Sequence, residues 1–584
     1  MTTENWNIAN LLRLVILFSP KGYMQLIKSN KNISSFLVLI FSFHGVAQKK
    51  QENYLELAIS AIEHREIETA DSLLEIGINE NPTKGEMWFQ YARINYQLGQ
   101  YDRAVKAYLK TDSLGYGKKW VALGLSYSYW ALEDKMNAKK WFEILISIDP
   151  TWIDRIRNDR LRLFLGDANY YRLTGKKFNG SQKRDEAWRE DLKFLKSSMA
   201  RSHYDLNVKT SDEEWDAMYK TIYDKIPFLG DKEIALEFAR FVALAGDGHT
   251  NIWPQFSDYQ YHMLPLLVYP FSDGFYIRAA SDQHADLVGS KVLKIGDKSI
   301  EEVYTRISDF IGHDNSMHES LVFPAVVSTV EILQMIGAVD TGGDISVTTL
   351  KNGHVIRQHV TAVLWDYSLI GRKREASAWN QMYHPEETPL YLSQVNNNYW
   401  RKVNHEQSFM YIQLNQIRDK EKESFAQFTS KTFKLIDSLS LQNLIIDIRL
   451  NDGGDTEVYK PLMVELIKSP INKKGHLFTI IGRMTYSAAM NLAVDLEYWT
   501  ETIFVGEPTG SSPVFIGENK AFTLPNSGLR VSISDRKHQK GAGSSVDTRT
   551  WIAPDIYAPL SAEHFRRGVD PSLDNIISAI ENGN

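Results

Sequence analysis

Two apolar, β-branched runs, each closed by a special turn, constrain this fold more than any other feature: NLIIDIRLNDGGD from Asn443 and HLFTIIGRMTYSAAM from His476. Leu444 to Leu450 is apolar except for Asp447 and Arg449, and it stops at Asp452-Gly453-Gly454. That pattern predicts an inner strand of a mostly parallel sheet, covered on both faces. Leu477 to Ile481 predicts a second such strand, broken by Gly482. After Ser487 the order Ala-Ala-Met-Asn-Leu-Ala opens a helical pattern. Ser487 therefore falls where a strand turns into a helix N-terminus, whose first N–H groups point outward. Those donors, with the amides of Gly453 and Gly454, could stabilise an oxyanion forming on an attacked carbonyl. The ordinary alternatives are a serine helix cap and a plain Asp-Gly turn.

Taken together and in this order, the two turns resemble those of the C-terminal-processing (tail-specific) and tricorn-core serine peptidases. In that family a strand ending Asp-x-Arg-x-Asn-x-Gly-Gly precedes a Thr-x-Ser-Ala nucleophile turn. Here these are Asp447-Ile448-Arg449-Leu450-Asn451-Asp452-Gly453-Gly454 and Thr485-Tyr486-Ser487-Ala488. The resemblance spans about Glu186 to Ile577. It implies Ser487 as nucleophile, Gly453, Gly454 and Ala488 as oxyanion donors, an α/β catalytic core of the ClpP/crotonase type, and neither metal nor cofactor. The Asp247-Gly248-His249-Thr250 turn is similar to the one with which tricorn-like members present their base, so His249 is the expected general base.

Members with a Ser–Lys dyad carry Gly-Lys-Gly shortly after a Gly-Glu-x-Thr turn. This chain has Ser511-Ser512-Pro513 there, and its next lysine, Lys520, lies beyond another Gly-Glu pair. A histidine base is thus expected rather than a lysine. The family also places an acid shortly before a Pro-Asp-Ile segment, here Pro554-Asp555-Ile556, which points to Asp547 as the group orienting the imidazole. Asp555 is read as holding the loop. His538, in the charged stretch Asp535 to Lys540, which is read as a loop, is the rival base.

The remainder of the chain is organised around this core. At 584 residues it is too long for one core. Its net charge, 66 − 72 = −6, offers no footprint for nucleic acid. No CxxC, HExxH or GxxxxGK[ST] pattern occurs, so zinc and nucleotide chemistry find no support. Met24 to Asn32 is basic, Ile33 to Val46 is apolar, and Gly45-Val46-Ala47 ends in small residues before Gln48. That is the layout of a secretory signal peptide over residues 1–47, with Met24 as a candidate start. The apolar run is shorter than the roughly 20 residues a membrane span needs, although a retained anchor is the alternative. With no cysteine there is neither a lipoprotein anchor nor a disulfide. Export to the periplasm or beyond is expected, with no stable membrane insertion after cleavage.

Residues 48–180 read as helical repeats. Ala70, Ala104 and Ala138 share a 34-residue step, as do Leu74, Tyr108 and Phe142, while Tyr96 and Trp130 keep it too, and Pro82 and Pro150 stand two steps apart. A 34-residue period with a small residue at the helix crossing is the tetratricopeptide signature, and such arrays bind proteins or peptides on a concave face. A helix from Ile153 to Leu173 would cap the array, and Thr174 to Gln182 is a polar boundary. Residues 181–254 read as three amphipathic helices ending in the His249 turn. Residues 255–366 read as β-rich, with a hairpin signal at Asn352-Gly353. There the run from Gly289 to Lys298 resembles the second half of a PDZ domain, although its carboxylate-binding loop is not evident. Residues 367–584 read as α/β. The expected function is a secreted serine peptidase acting on peptide or protein substrates through an acyl-enzyme on Ser487. The alternatives are a non-catalytic ligand- or peptide-binding protein on the same fold, and a tetratricopeptide scaffold with a decayed peptidase half.

Overall fold

The structure is a computed structural model, and it describes residues 54–64, 66–149, 152, 183–340, 344–366, 379–384, 386, 388–540 and 547–582. The expected signal segment, the capping helix from Ile153 and the boundary from Thr174 lie outside them, as does Pro150. The chain separates into two compact units, one ending at Leu145 and one beginning at Ile146.

The first unit is helical. Residues 54–63 form a helix, followed by α1 (Ile67–Glu80), α2 (Gly85–Gln97), α3 (Tyr101–Ser113), α4 (Lys118–Ala131) and α5 (Lys135–Ile148), within which the unit ends. The repeat register is visible in the packing. Ala70, Ala104 and Ala138 are fully buried, and Leu74, Tyr108 and Phe142 are at most 4% exposed. Small residues are needed because the helices cross closely: a side chain at Gly124 would meet the Tyr108 ring at 2.2 Å.

The second unit opens with α6 (Arg184–Ser202), α7 (Asp212–Lys225) and α8 (Asp231–Ala243). Ser211 and Glu214 close a capping box on α7, each satisfying an amide the helix leaves open. The next stretch, expected to be β-rich, is mixed. Its strands are β1 (Asn251–Ile252), β2 (His262–Met263), β3 (Leu266–Phe271), β4 (Gly274–Ala280), β5 (Lys291–Ile295), β6 (Lys298–Ser299), β7 (Asp344–Lys351), β8 (His354–Thr361), β9 (Val363–Leu364) and β10 (Asn380–Gln381). Between β6 and β7 stand α9 (Ile300–Ile307), α10 (Ser316–Ser328) and α11 (Val330–Met335). The sequence pattern does not reveal α10, because that helix is buried on most sides and shows no apolar stripe. Strands β10-β4-β5-β7-β8 run in that order, with β3 on β4 and β6 on β5. The Asn352-Gly353 hairpin forms as expected, both residues at positive φ between β7 and β8.

The last half is a six-stranded sheet, β11 (Tyr399–Asn404), β12 (Phe409–Leu414), β13 (Asn443–Asp447), β14 (Leu477–Ile481), β15 (Ile503–Gly506) and β18 (Ile556–Tyr557), paired in that order. From β12 onward every pairing is parallel; β11 is antiparallel. Alternate residues feed two cores. Leu444, Ile446, Leu477 and Ile481 pack with α12 (Phe425–Ser438), α13 (Lys460–Lys468) and α14 (Ala488–Trp499). Ile445, Phe478 and Ile480 pack on the opposite side with Ile576, from α16 (Pro571–Glu581) beyond the short α15 (Ala562–Arg566). Burial on both faces is why these strands read as continuous apolar runs.

Two expectations need correcting. The strand expected over Leu444–Leu450 ends at Asp447, because that carboxylate accepts from the Arg449 backbone N–H and Nε and curls the chain away. The charged stretch from Asp535 is no loop but part of β17 (Arg530–Gln539), paired antiparallel with β16 (Val514–Thr523) and, through Ser532 and Val531, with β1. Its charges face outward or pair across the ladder, as Asp535 does with Lys520.

Candidate active site

The turn after β14 is tied before it reaches Ser487. Thr485, fully buried, accepts from Gly482 N–H with its Oγ1 and donates the same hydroxyl to the Ile448 carbonyl, while Tyr486 N–H donates to the Asn451 carbonyl. The exits of β13 and β14 are thereby tied to each other. Ser487 then takes φ +56°, ψ −122° and starts α14 without any side-chain capping bond. A capping serine sits in the extended region and accepts from the helix's first amides. Ser487 does neither, so the cap reading fails. A non-glycine residue at this φ stores about 1–3 kcal/mol, which a fold maintains only where the surroundings over-determine it. The same strained strand-to-helix turn lifts the serine clear of the sheet in α/β-hydrolases.

Gly453 and Gly454 face this turn at φ +116° and +138°. A side chain at Gly453 would stand 2.8 Å from Ser487 Cβ and 3.1 Å from the Ala488 nitrogen; one at Gly454 would strike the Ile417 carbonyl at 2.1 Å. Both glycines are therefore steric necessities. The Ala488 amide is one of the first N–H groups of α14, which no helical carbonyl can satisfy. The Gly453 amide donates to Asn451 Oδ1 at 2.9 Å, so this expected oxyanion donor already has a partner.

The His249 turn follows α8, which ends through Gly246 at φ +70°. Asp247 organises it: Oδ1 accepts from the N–H groups of His249 (3.0 Å) and Thr250 (2.8 Å) and from Ser534 Oγ (2.7 Å), and Oδ2 meets His203 Nε2 at 2.8 Å. Burial alone would raise the Asp247 carboxyl, but His203, Ser534 and Thr250 outweigh it and hold it below the usual range. The His249 ring then lies 4.6 Å from that of Tyr486, 24° from parallel, with Nδ1 2.8 Å from the Tyr486 hydroxyl. The base expected from one end of the second unit thus meets the residue beside Ser487.

The imidazole belongs to a column of five stacked rings. His318 backs Tyr486 at 4.5 Å, Phe515 covers the far face of His249 at 5.7 Å, and His538 lies on Phe515 at 4.7 Å. Gly248 and Gly517 leave room for it; a side chain at Gly248 would meet His318 Cε1 at 2.1 Å and the Tyr486 hydroxyl at 2.4 Å. His538 is separated from His249 by the Phe515 ring, and burial lowers its pKa, with only Glu518 and Asp535 opposing.

Asp547 stands elsewhere. Its carboxylate takes Arg549 N–H and the Arg549 guanidinium, whose fork also grips Glu497 of α14. The Arg549 contact, against partial burial, holds the Asp547 carboxyl low. The oxygen at His249 Nδ1 is that of Tyr486. Asp555 accepts from Phe504 N–H at 2.8 Å, the holding role expected of it. Ser512, where a dyad lysine would stand, donates to the Thr550 carbonyl, and Lys520 pairs with Asp535. Sequence reasoning missed Tyr486 and His318. Tyr486 was in view, inside the nucleophile turn, but its partner lies 237 positions away. A cavity of about 200 Å³ lies at the carboxyl ends of β13 and β14, walled by Leu321, Ala325, Leu450 and Met484; neither Ser487 nor His249 lines it. Among the described residues no group of three His, Cys, Asp or Glu could hold a metal, and no helix is long and apolar enough to cross a membrane.

A tetratricopeptide repeat model matches residues 85–114, the α2–α3 pair. No curated protein matches. Among solved structures, the chain is similar to mature CPAF complexed with lactacystin, at 13% identity and a TM-score of 0.48, over 68% of this chain and 99% of that one. It is similar to the photosystem II D1 C-terminal processing protease at 12% identity and a TM-score of 0.32, over 67% and 96%. A structure described as an S41 protease from Bacteroides fragilis NCTC 9343 matches at 11% identity and a TM-score of 0.30, over 67% and 97%.

Proposed function

We propose that this chain is a serine peptidase whose nucleophile is Ser487 and whose general base is His249. The observation that carries the reading is the Ser487 backbone: a strained serine at a helix N-terminus whose hydroxyl caps nothing. A hydroxyl becomes a useful nucleophile only when a neighbour takes its proton. In the tautomer whose Nδ1–H donates to the Tyr486 hydroxyl, Nε2 is the nitrogen that accepts this proton. Ser487 Oγ attacks the peptide carbonyl carbon and its proton passes to His249. The carbonyl oxygen becomes an oxyanion held by the Ala488, Gly453 and Gly454 amides, of which Gly453 must leave Asn451 Oδ1. His249 then protonates the departing amine as the C–N bond breaks. Water, deprotonated by His249, releases the acyl group and restores the serine. The group that orients the imidazole in this scheme is Tyr486 rather than Asp547.

Within this reading residues 1–47 direct export, 48–180 form the tetratricopeptide array for a protein partner, 181–254 carry the base, 255–366 form a PDZ-like region and 367–584 a ClpP/crotonase-like core. No metal or cofactor takes part in the steps above. The test is a fluorophosphonate probe on the full-length protein, with the adduct mapped by mass spectrometry. Labelling at Ser487, lost in Ser487→Ala, supports an activated serine. A folded protein that takes up no probe is a ligand-binding relative of these enzymes instead.

A further inference from the structure

The segment that begins α10 touches the candidate site from behind, although it lies in the region between the two halves of the expected catalytic apparatus. Asp314 Oδ1 accepts from the Gly248 N–H at 3.1 Å, and Oδ2 accepts from Ser511 Oγ at 2.6 Å. Asn315 caps α10 through Oδ1, taking the Met317 and His318 amides, and its Nδ2 donates to the carbonyls of Thr509 and Thr550. One turn on, His318 is 1% exposed and presents its ring face to Tyr486. Gly312, just upstream, presses so closely that a side chain there would meet the Asp247 carbonyl at 2.6 Å. The His249 turn is therefore gripped twice, by its own Asp247 and by Asp314.

We propose that Asp314 and His318 are positioning residues of the candidate active site: Asp314 fixes the Gly248 amide and the Ser511 hydroxyl, His318 backs Tyr486, and together they set where His249 stands. This rests on the serine-peptidase reading of Ser487 and His249. An acid is a costly choice for packing alone. Burial lifts the Asp314 carboxyl to about 6, with the Ser511 and Gly248 hydrogen bonds and Lys209 pulling the other way and Asp247 adding to the rise. The charged groups facing it are Asp247 with its partner His203, and Lys209, whose Nζ bonds the His313 and Asp314 carbonyls. His318 and Glu319 are the titratable groups on the helix that it precedes. A carboxylate is retained although its charge is disfavoured, which fits an acceptor kept for the amide beside the base.

The test measures the rate of Ser487 phosphonylation in the full-length protein from pH 5 to 8. Asp314→Ala is expected to lose between about tenfold and a hundredfold, the scale set by an ångström of misplacement. Asp314→Asn, which keeps an acceptor for Gly248, should recover most of that loss. In acid the logarithmic rate should fall with a slope of one in wild type and Asp314→Asn alike, as the base takes a proton while protonated Asp314, like Asn, still offers a carbonyl acceptor to Gly248. His318→Phe should keep the rate within about threefold and His318→Ala should not, because only the former keeps the stacked ring. An Asp314→Ala protein labelled at the wild-type rate, or an Asn variant no better than Ala, overturns the proposal. If wild-type protein takes no label, the peptidase reading fails by itself. Hydrogen exchange of the 246–250 segment then decides: faster exchange in Asp314→Ala supports the grip, and unchanged exchange refutes it.

Discussion

Replacing Gly248 by alanine should disable the site while leaving the fold standing. The glycine is not at positive φ, so the backbone accepts alanine and the effect is steric. The new methyl would lie 2.1 Å from His318 Cε1 and 2.4 Å from the Tyr486 hydroxyl, where ordinary contact begins at 3.4 Å. The shortfalls are 3.4 − 2.1 = 1.3 Å and 3.4 − 2.4 = 1.0 Å. Neither ring can yield alone, because His318, Tyr486, His249 and Phe515 are stacked against one another. A 1.0 Å retreat of the hydroxyl stretches its 2.8 Å contact with His249 Nδ1 beyond hydrogen-bond range. Overpacking of this kind costs about 1–3 kcal/mol of stability, whereas an ångström of misplacement costs about a hundredfold in rate. The assay pairs thermal melting with the phosphonylation rate at Ser487. The expected result is a melting point lower by a few degrees and a rate lower by about a hundredfold. A Gly248→Ala protein that melts and reacts within threefold of wild type would show that the ring column does not position the base.

Tyr486→Phe keeps both stacks and loses only the hydroxyl, so it should melt within about 1 kcal/mol of wild type and lose at least about tenfold in acylation, since an unheld imidazole samples the wrong tautomer; Asp547→Asn should acylate normally, and the opposite order returns the orienting role to Asp547. His249→Ala should lose at least about a hundredfold in labelling rate, while His538→Ala, shielded by Phe515, should lose little; labelling of His249→Ala at the wild-type rate excludes it as base. Asp314→Asn should be more stable than wild type at pH 7.5. The folded-state pKa of about 6 lies above the ordinary value of 3.8, so the folded state binds the extra proton and its stability falls as pH rises through that window. At about 1.4 kcal/mol per pH unit the gain on removing the acid is up to about 3 kcal/mol above pH 7, and denaturant melts should show it vanishing below pH 4; a destabilised Asn variant at pH 7.5 contradicts this.

Much of the scaffold was legible because local pattern and tertiary burial agreed. β13 and β14 are covered on both faces, so their apolar runs marked them, and alanines a repeat apart marked the close helix crossings of the first unit. Where the two signals diverged, the reading failed. Helix α10 is enclosed by its neighbours and shows no stripe, and β17 carries charges because its pairing with β16 needs no apolar alternation on the outer face.

The site divides the same way. Ser487 and the double glycine of the candidate site stood out in the sequence because the pattern that marks them is local: two turns, each within a few residues. The sequence could not show that Ser487 is strained rather than a cap, since φ is set by the bonds of Thr485 and Tyr486 to the neighbouring strand's exit. Nor could it show which group meets His249, for the family resemblance pointed to Asp547 while packing sets the Tyr486 hydroxyl at its Nδ1. His249, His318, Tyr486, Phe515 and His538 come from five separate segments and share no periodicity. Only the docking of a helical turn, a helix N-terminus and a β-hairpin onto the end of the sheet stacks their rings into one column, because contact between distant segments depends on three-dimensional packing rather than on any repeat along the chain.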